Sequence, residues 1–271
     1  MPQKTVLITG CSEGGIGDAL AAEFQLHGCR VFATARSASK MSKLAEKGIE
    51  IFELDVNSDE SIATAVTTVQ KATGGSLDFL INNAGVNHVL PFTDMTVADV
   101  RTVLNTNIVA VFTITHAFLP LLIQGKGLVA TIGSINEVFC PPFQSPYNAS
   151  KAAVHAMGTT LRKELAPFGV RFVTLVTGAV RTKLFDNKPT VFPEDSRYKA
   201  IGKPIEEREF LKNAQWIDAD VYAKQVVSDL LKPSPRDVIW RGGLATVAWV
   251  LTWLGWEGML VSLNAKRSTA K

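Results

Sequence analysis

The stretch KTVLITGCSEGGIGDALAAEF, residues 4–24, constrains this chain more than any other. Lys4 to Thr9 reads as a buried parallel strand, and Ile16 to Gly28 as a helix with apolar residues at helical spacing. Between them Gly10, Gly14, Gly15 and Gly17 let the backbone turn tightly and approach a ligand closely. The helix start then offers free N–H groups and a positive dipole end to a phosphate. Strand, glycine loop and helix in this order follow the logic of a dinucleotide-binding turn.

The same alternation continues without internal repeat. Strands are predicted at Arg30–Ala35, Ile49–Leu54, within LDFLINNAG (77–85), at Gly127–Ile132 and at Val170–Val176. Helices are predicted at Ser58–Thr73, over a long run from Thr96 to Leu122, and from the Tyr147 region to about Pro167, where proline ends the helix. Alternating strands and helices imply a parallel sheet covered on both faces. The predicted fold is α/β, a doubly wound parallel sheet (Rossmann fold) in a single domain.

At 271 residues, 46% of them hydrophobic, the chain can bury a sizeable core. A formal net charge of +3 with scattered lysines argues against nucleic acid as a partner. The three cysteines, Cys11, Cys29 and Cys140, are an odd set without metal-ligand spacing. They imply free thiols in a reducing compartment and no metal. The first apolar run is short and meets the glycine loop at once, so no signal peptide is expected and the cytoplasm is the expected location.

The chemistry centres on GSINEVFCPPFQSPYNASK, residues 133–151. Tyr147 and Lys151 are spaced to share one helix face. A phenol titrates near pH 10, and a nearby ammonium is expected to lower that value and make Tyr147 a usable proton donor or acceptor. Ser134, at a strand end, is placed to hold a carbonyl oxygen against the phenol.

These segments resemble the short-chain dehydrogenase/reductase family over residues 4–241, through TGCSEGGIG, NNAG (82–85), LNTN (104–107), and Ser134 with YNASK. Within it, the glycine loop and the tryptophan-rich C-terminus look most like fungal reductases similar to NADPH-dependent 1-acyldihydroxyacetone-phosphate reductase. The resemblance implies a catalytic set of Asn107, Ser134, Tyr147 and Lys151. Asn107 would hold a water linking Lys151 to solvent, a role for which Asn105 competes. It also implies cofactor contacts from Gly10, Ser12, Gly15, Ile16 and Gly17, from Asp55 and Val56, from Asn83, Ala84 and Gly85, from Tyr147 and Lys151, and from Val180 and Thr182 around the nicotinamide. Two departures stand out: four residues separate Gly10 from Gly15, and Thr177-Gly178 replaces a proline-glycine turn. Asp55 has a plainer reading as a turn or cap residue, and Asn83 one as a bridge between strands.

Cofactor choice is argued from the end of the second strand, VFATARS. An NAD-selective site commonly carries an acid there, whereas Arg36 suits a 2′-phosphate. NADP is therefore expected over NAD. Glu13 stands against this if its carboxylate points inward.

The expected activity is reduction of a hydrophobic carbonyl compound to an alcohol, or the reverse, by an NADP(H)-dependent oxidoreductase that forms a homodimer or homotetramer. Epimerisation, dehydration or nucleotide binding without turnover are the alternatives on this fold. Residues 183–216, with Phe185, Val191, Phe192 and Trp216, read as a variable substrate lid on a catalytic domain spanning 1–241. His155 reads as a surface or packing residue; His88 either lines the pocket or sits in a plain loop. The segment 242–271 is apolar, then basic, with Trp249, Trp253 and Trp256. Its apolar run, Gly242 to Trp256, is too short to span a bilayer, which takes roughly 20 residues. Two readings stay open: a helix lying on an endoplasmic-reticulum or lipid-droplet surface, or one packed on the core, the lid or a second subunit.

Overall fold

The computed structural model describes residues 3–184, 190–207 and 215–254. The elements run β1 (Thr5–Ile8), α1 (Ile16–Leu26), β2 (Arg30–Ala35), α2 (Ser42–Glu46), β3 (Glu50–Glu53), α3 (Asp59–Thr73) and β4 (Phe79–Asn82). There follow α4 (Val97–Leu104), α5 (Ala110–Gly125), β5 (Leu128–Ile132), α6 (Asn136–Phe139), α7 (Ser145–Leu165), β6 (Arg171–Thr177) and β7 (Val180–Arg181). The last are α8 (Lys199–Glu206), β8 (Ile217–Asp218), α9 (Ala219–Leu230), β9 (Val238–Arg241) and α10 (Ala245–Leu254).

Seven strands form one parallel sheet in the order β3-β2-β1-β4-β5-β6-β9. The order reverses between β1 and β4, the switch point at which such sheets open a crevice beyond their carboxyl ends. Successive residues of β1 explain why both sheet faces are covered. Val6 and Ile8 join a core with Leu20, Phe24, Tyr222 and Val226 of α1 and α9. Leu7 points the other way, into a core with Ile62, Ile114, Phe118 and Phe172. The doubly wound fold expected from the sequence is thus the one observed.

Two elements differ from expectation. The long helix from Thr96 is broken by a π-turn at Asn105–Val109 between α4 and α5. Its start is fixed by a capping box in which Thr96 and Asp99 satisfy each other's backbone N–H. The stretch Val97–Gly125 is long and apolar enough to cross a membrane, yet Ile114, Phe118, Leu121 and Leu122 are buried in the protein core. The second difference is β9, a seventh sheet strand that pairs with β6.

Candidate active site

The sequence-predicted residues gather along the carboxyl edge of the sheet. Gly10 follows β1, Arg36 follows β2, Asp55 lies just past β3, Asn83 follows β4 and Ser134 lies just past β5. The glycine loop is built for close approach. Gly10 has φ +74° and packs so near Ala84 that a Cβ there would lie 2.8 Å from its Cα. At Gly17 a Cβ would meet Asn83 Nδ2 at 2.5 Å and the Gly10 carbonyl at 2.6 Å. Ser12 turns the loop by accepting a bond from the Gly15 N–H, 3.1 Å, and Ile16 opens α1. A loop with no side chain to spare, ending on a helix N-terminus, fits a dinucleotide pyrophosphate. Lys183 leans over it, its Cε 3.1 Å from where a Gly14 Cβ would sit. No sequence motif pointed to Lys183, because it reaches the loop from beyond β7.

Glu13 does not point into this cradle. Its carboxylate accepts a 2.5 Å bond from Lys43, which holds it below the usual carboxylate range. Arg36 is exposed at the end of β2. Asp55 accepts the Asn57 N–H at 3.0 Å while Ser58 caps α3, so its side chain builds the turn and Val56 is buried beneath. Asn83 donates to the carbonyls of Thr9 and Gly10 at 2.8 and 2.9 Å, a bridge between β1 and β4 that leads into Ala84 and Gly85. Val180 is buried in β7, and Thr182 accepts the Leu184 N–H at 3.3 Å.

Asn107 sits in the π-turn and is buried, whereas Asn105 is exposed. Its amide makes a reciprocal pair with the Val86 backbone, accepting its N–H and donating to its carbonyl, both at 2.9 Å, and donates to Ser150 at 3.0 Å. The extra backbone residue of a π-turn is a known device at functional sites. Here it turns Asn107 onto the loop that follows NNAG.

Tyr147 and Lys151 lie on α7, only 8% and 6% exposed. Pro146 in the first turn of α7 suits a position where the N–H has no helical partner. The Lys151 ammonium donates to the Ile132 carbonyl at 2.8 Å and stands 5.5 Å from the Tyr147 ring centre. The pKa directions correct one expectation. Burial pushes the Tyr147 phenol up to about 12, outweighing the Ser134 hydroxyl that pulls it down. Burial likewise drops Lys151 to about 8. Desolvation dominates both groups, so the phenol is raised and not lowered as the spacing suggested. At neutral pH the free site therefore holds the phenol protonated.

The cysteines are poor nucleophiles. Cys11 is buried, bonds the Ile8 carbonyl and has its thiol pushed up to about 12 by burial. Cys140 is exposed at the end of α6 with its thiol also raised. His88 is buried 3.4 Å from Asp99, and His155 is paired with Glu137. In the lid, Phe192 is buried against Gly202 of α8 and Val191 is exposed. Phe185, Trp256 and the basic tail lie outside the described residues.

A glycine-rich cradle at the switch point, beside a buried tyrosine, lysine, serine and asparagine, defines a nicotinamide-dinucleotide oxidoreductase site. Comparison with known proteins identifies which kind. The short chain dehydrogenase family model matches residues 4–190, and the chain belongs to that family. A short-chain dehydrogenase/reductase of Pestalotiopsis microspora is 42% identical over 251 residues, covering 90% of this chain and 86% of the relative. An NADPH-dependent 1-acyldihydroxyacetone phosphate reductase of Schizosaccharomyces pombe is 38% identical, covering 97% and 93%. A short-chain dehydrogenase structure from Streptomyces avermitilis superposes with a TM-score of 0.82 at 27% identity, covering all of both chains.

Proposed function

We propose that the protein is an NADP-dependent reductase of a hydrophobic carbonyl compound, with Tyr147 as the general acid. The observation that carries this reading is the protonated, buried phenol flanked by Ser134 and Lys151. Ser134 donates its hydroxyl proton to the carbonyl oxygen in a hydrogen bond and stabilises its developing charge. Lys151 sits where its charge favours the phenolate left behind, and Asn107 holds the Val86 loop that lines the relay. Gly10, Ser12, Gly15, Ile16, Gly17, Asp55, Val56, Asn83, Ala84, Gly85, Val180 and Thr182 would hold the dinucleotide. When bound, it supplies the hydride.

Arg36 is assigned to the 2′-phosphate. Its exposure at the end of β2 and the neutralisation of Glu13 by Lys43 support NADP. So does the NADPH dependence in the name of the fission-yeast relative. A hydrophobic substrate is supported by the lid, which is tied down beside the site: Tyr198 packs edge-on against Phe143, 5.4 Å between centres, and Ser196 bonds Asp94.

A homodimer or homotetramer is supported by the exposed Val109, Phe112 and Ile123 on one side of the π-turn and α5. A cytoplasmic location is proposed, and with it contact of α10 with a membrane surface such as the endoplasmic reticulum or a lipid droplet, the alternative being contact with protein. Trp249 and Trp253 stack edge-on at 6.4 Å on that helix, and Trp253 is 76% exposed.

The test is Tyr147→Phe. Turnover of NADPH with a panel of hydrophobic ketones should fall by roughly 10²–10⁴-fold, while nucleotide binding followed by fluorescence quenching stays within about twofold. Retained turnover would remove the assignment.

A further inference from the structure

The glycine loop has fewer free donors than its sequence suggests. The N–H groups of Cys11, Glu13 and Gly15 already go to the carbonyls of Thr34, Lys40 and Ser12, at 2.8, 2.9 and 3.1 Å. That of Gly14 goes to the Asp18 carboxylate at 2.9 Å. Asp18 lies in the first turn of α1, so it sets a negative charge at the helix end that would face a phosphate. The longer span from Gly10 to Gly15 therefore comes with a carboxylate close to where a doubly negative pyrophosphate has to settle.

The balancing cations come from elsewhere in the chain. Glu13 is answered by Lys43 of α2 at 2.5 Å. Lys183, which is exposed, reaches the loop from beyond β7. Its stem lies over Gly14, with Cε, Cδ and Nζ at 3.1, 3.5 and 3.5 Å from where a Cβ would sit. Gly14 has φ +76°, so glycine suits the backbone there and also leaves room for this stem. The ammonium acts on the Glu13 carboxylate through space, yet that carboxylate takes its hydrogen bond from Lys43. Lys183 directly follows Thr182, the residue assigned to the nicotinamide. It thus stands between the nicotinamide end of the site and the glycine loop, the interval that the two phosphates of a dinucleotide occupy.

We propose that Lys183 is a cofactor-binding residue, an ammonium that meets the dinucleotide pyrophosphate over Gly14 and offsets the carboxylates of the loop. The inference rests on the dinucleotide seat of the proposed reductase, and not on Tyr147 being the acid. A lysine suits the place, because a point charge on a flexible stem can meet either phosphate without a fixed fork. Arg36, past the end of β2, is assigned to the 2′-phosphate, so the two cations read different parts of one ligand.

Lys183→Met keeps a straight stem over Gly14 and removes the charge. Quenching of tryptophan fluorescence, with no ketone present, measures binding of NADPH, NADH and adenosine 2′-monophosphate. The last carries the 2′-phosphate and no pyrophosphate. Lys183→Met should weaken NADPH and NADH by the same factor, roughly tenfold, the worth of a charge-assisted bond. Binding of adenosine 2′-monophosphate should not change, and Lys183→Arg should restore most of the affinity for both dinucleotides. Unchanged NADPH binding in Lys183→Met overturns the proposal. So does a loss confined to NADPH, which makes Lys183 a reader of the 2′-phosphate. An equal loss for adenosine 2′-monophosphate overturns it too, since that reports a deformed loop. Each of these results leaves the reductase reading standing, whereas a wild type that binds neither dinucleotide removes both.

Discussion

Replacing Lys151 with methionine should make the protein more stable while abolishing turnover. The ammonium is 6% exposed, and burial lowers its pKa from 10.5 to about 8. That gap corresponds to about 3 kcal/mol of folding free energy lost to carrying the charge inside. Methionine has a similar straight chain without the charge. The Ile132 carbonyl loses its donor, which returns about 1 kcal/mol of the cost. The expected net gain is therefore about 2 kcal/mol at neutral pH. The pH dependence identifies the cause. Below pH 8 the lysine is charged in both states, and the folded protein bears the whole cost. Between pH 8 and 10.5 the folded lysine gives up its proton while the unfolded one keeps it, so wild-type stability rises with pH. Above 10.5 both are neutral and the cost is gone. Tyr147 also titrates at the alkaline end, but it is present in both proteins and cancels in the difference. Urea midpoints at a series of pH values, with a common slope, measure this. A variant less stable than wild type at pH 7, or a gain that does not shrink toward pH 10.5, would refute the claim that desolvation dominates this site.

Three further outcomes are expected. Arg36→Ala should weaken NADPH binding by roughly 10–100-fold, the worth of a charge-assisted bond, and leave NADH nearly unchanged; equal losses in a quenching titration would show that Arg36 does not read the 2′-phosphate. Gly17→Ala forces a Cβ onto Asn83 and the Gly10 carbonyl, so the urea midpoint should fall by the equivalent of about 1–3 kcal/mol and nucleotide binding should go with it; a variant of wild-type stability and affinity would contradict the tight packing of the cradle. Trp249→Ser with Trp253→Ser should abolish co-flotation with phospholipid vesicles while activity persists. Deleting the whole segment is a poorer test, because Ala245 and Ala248 are buried against Ile135 and Val176. Flotation that survives both serines, or a wild type that never floats, would leave α10 as a protein contact, which sedimentation reads as a change in oligomer size.

The fold was legible because parallel strands buried on both faces leave apolar runs such as VLI and FLI, and because the first of them ends in glycines. The misses have a common origin in partners distant along the chain. The π-turn at Asn105–Val109 accompanies the bonding of Asn107 to the Val86 backbone, a contact no local period encodes. The strand VIWR is short and becomes a strand through its ladder with β6. Lys183 over Gly14 joins two loops, and Lys43 on Glu13 joins α2 to the glycine loop.

The same distinction separates which residues form the site from how they are tuned. Residue types and spacing suffice to bring Ser134, Tyr147 and Lys151 near one another, since this takes only one helix face and one strand end. They did not give the sign of the pKa shifts, which depends on how much water and how many charges surround each group. Here burial lowers the lysine and raises the phenol. Spacing thus decides which groups meet, and the water excluded around them decides how tightly each holds its proton.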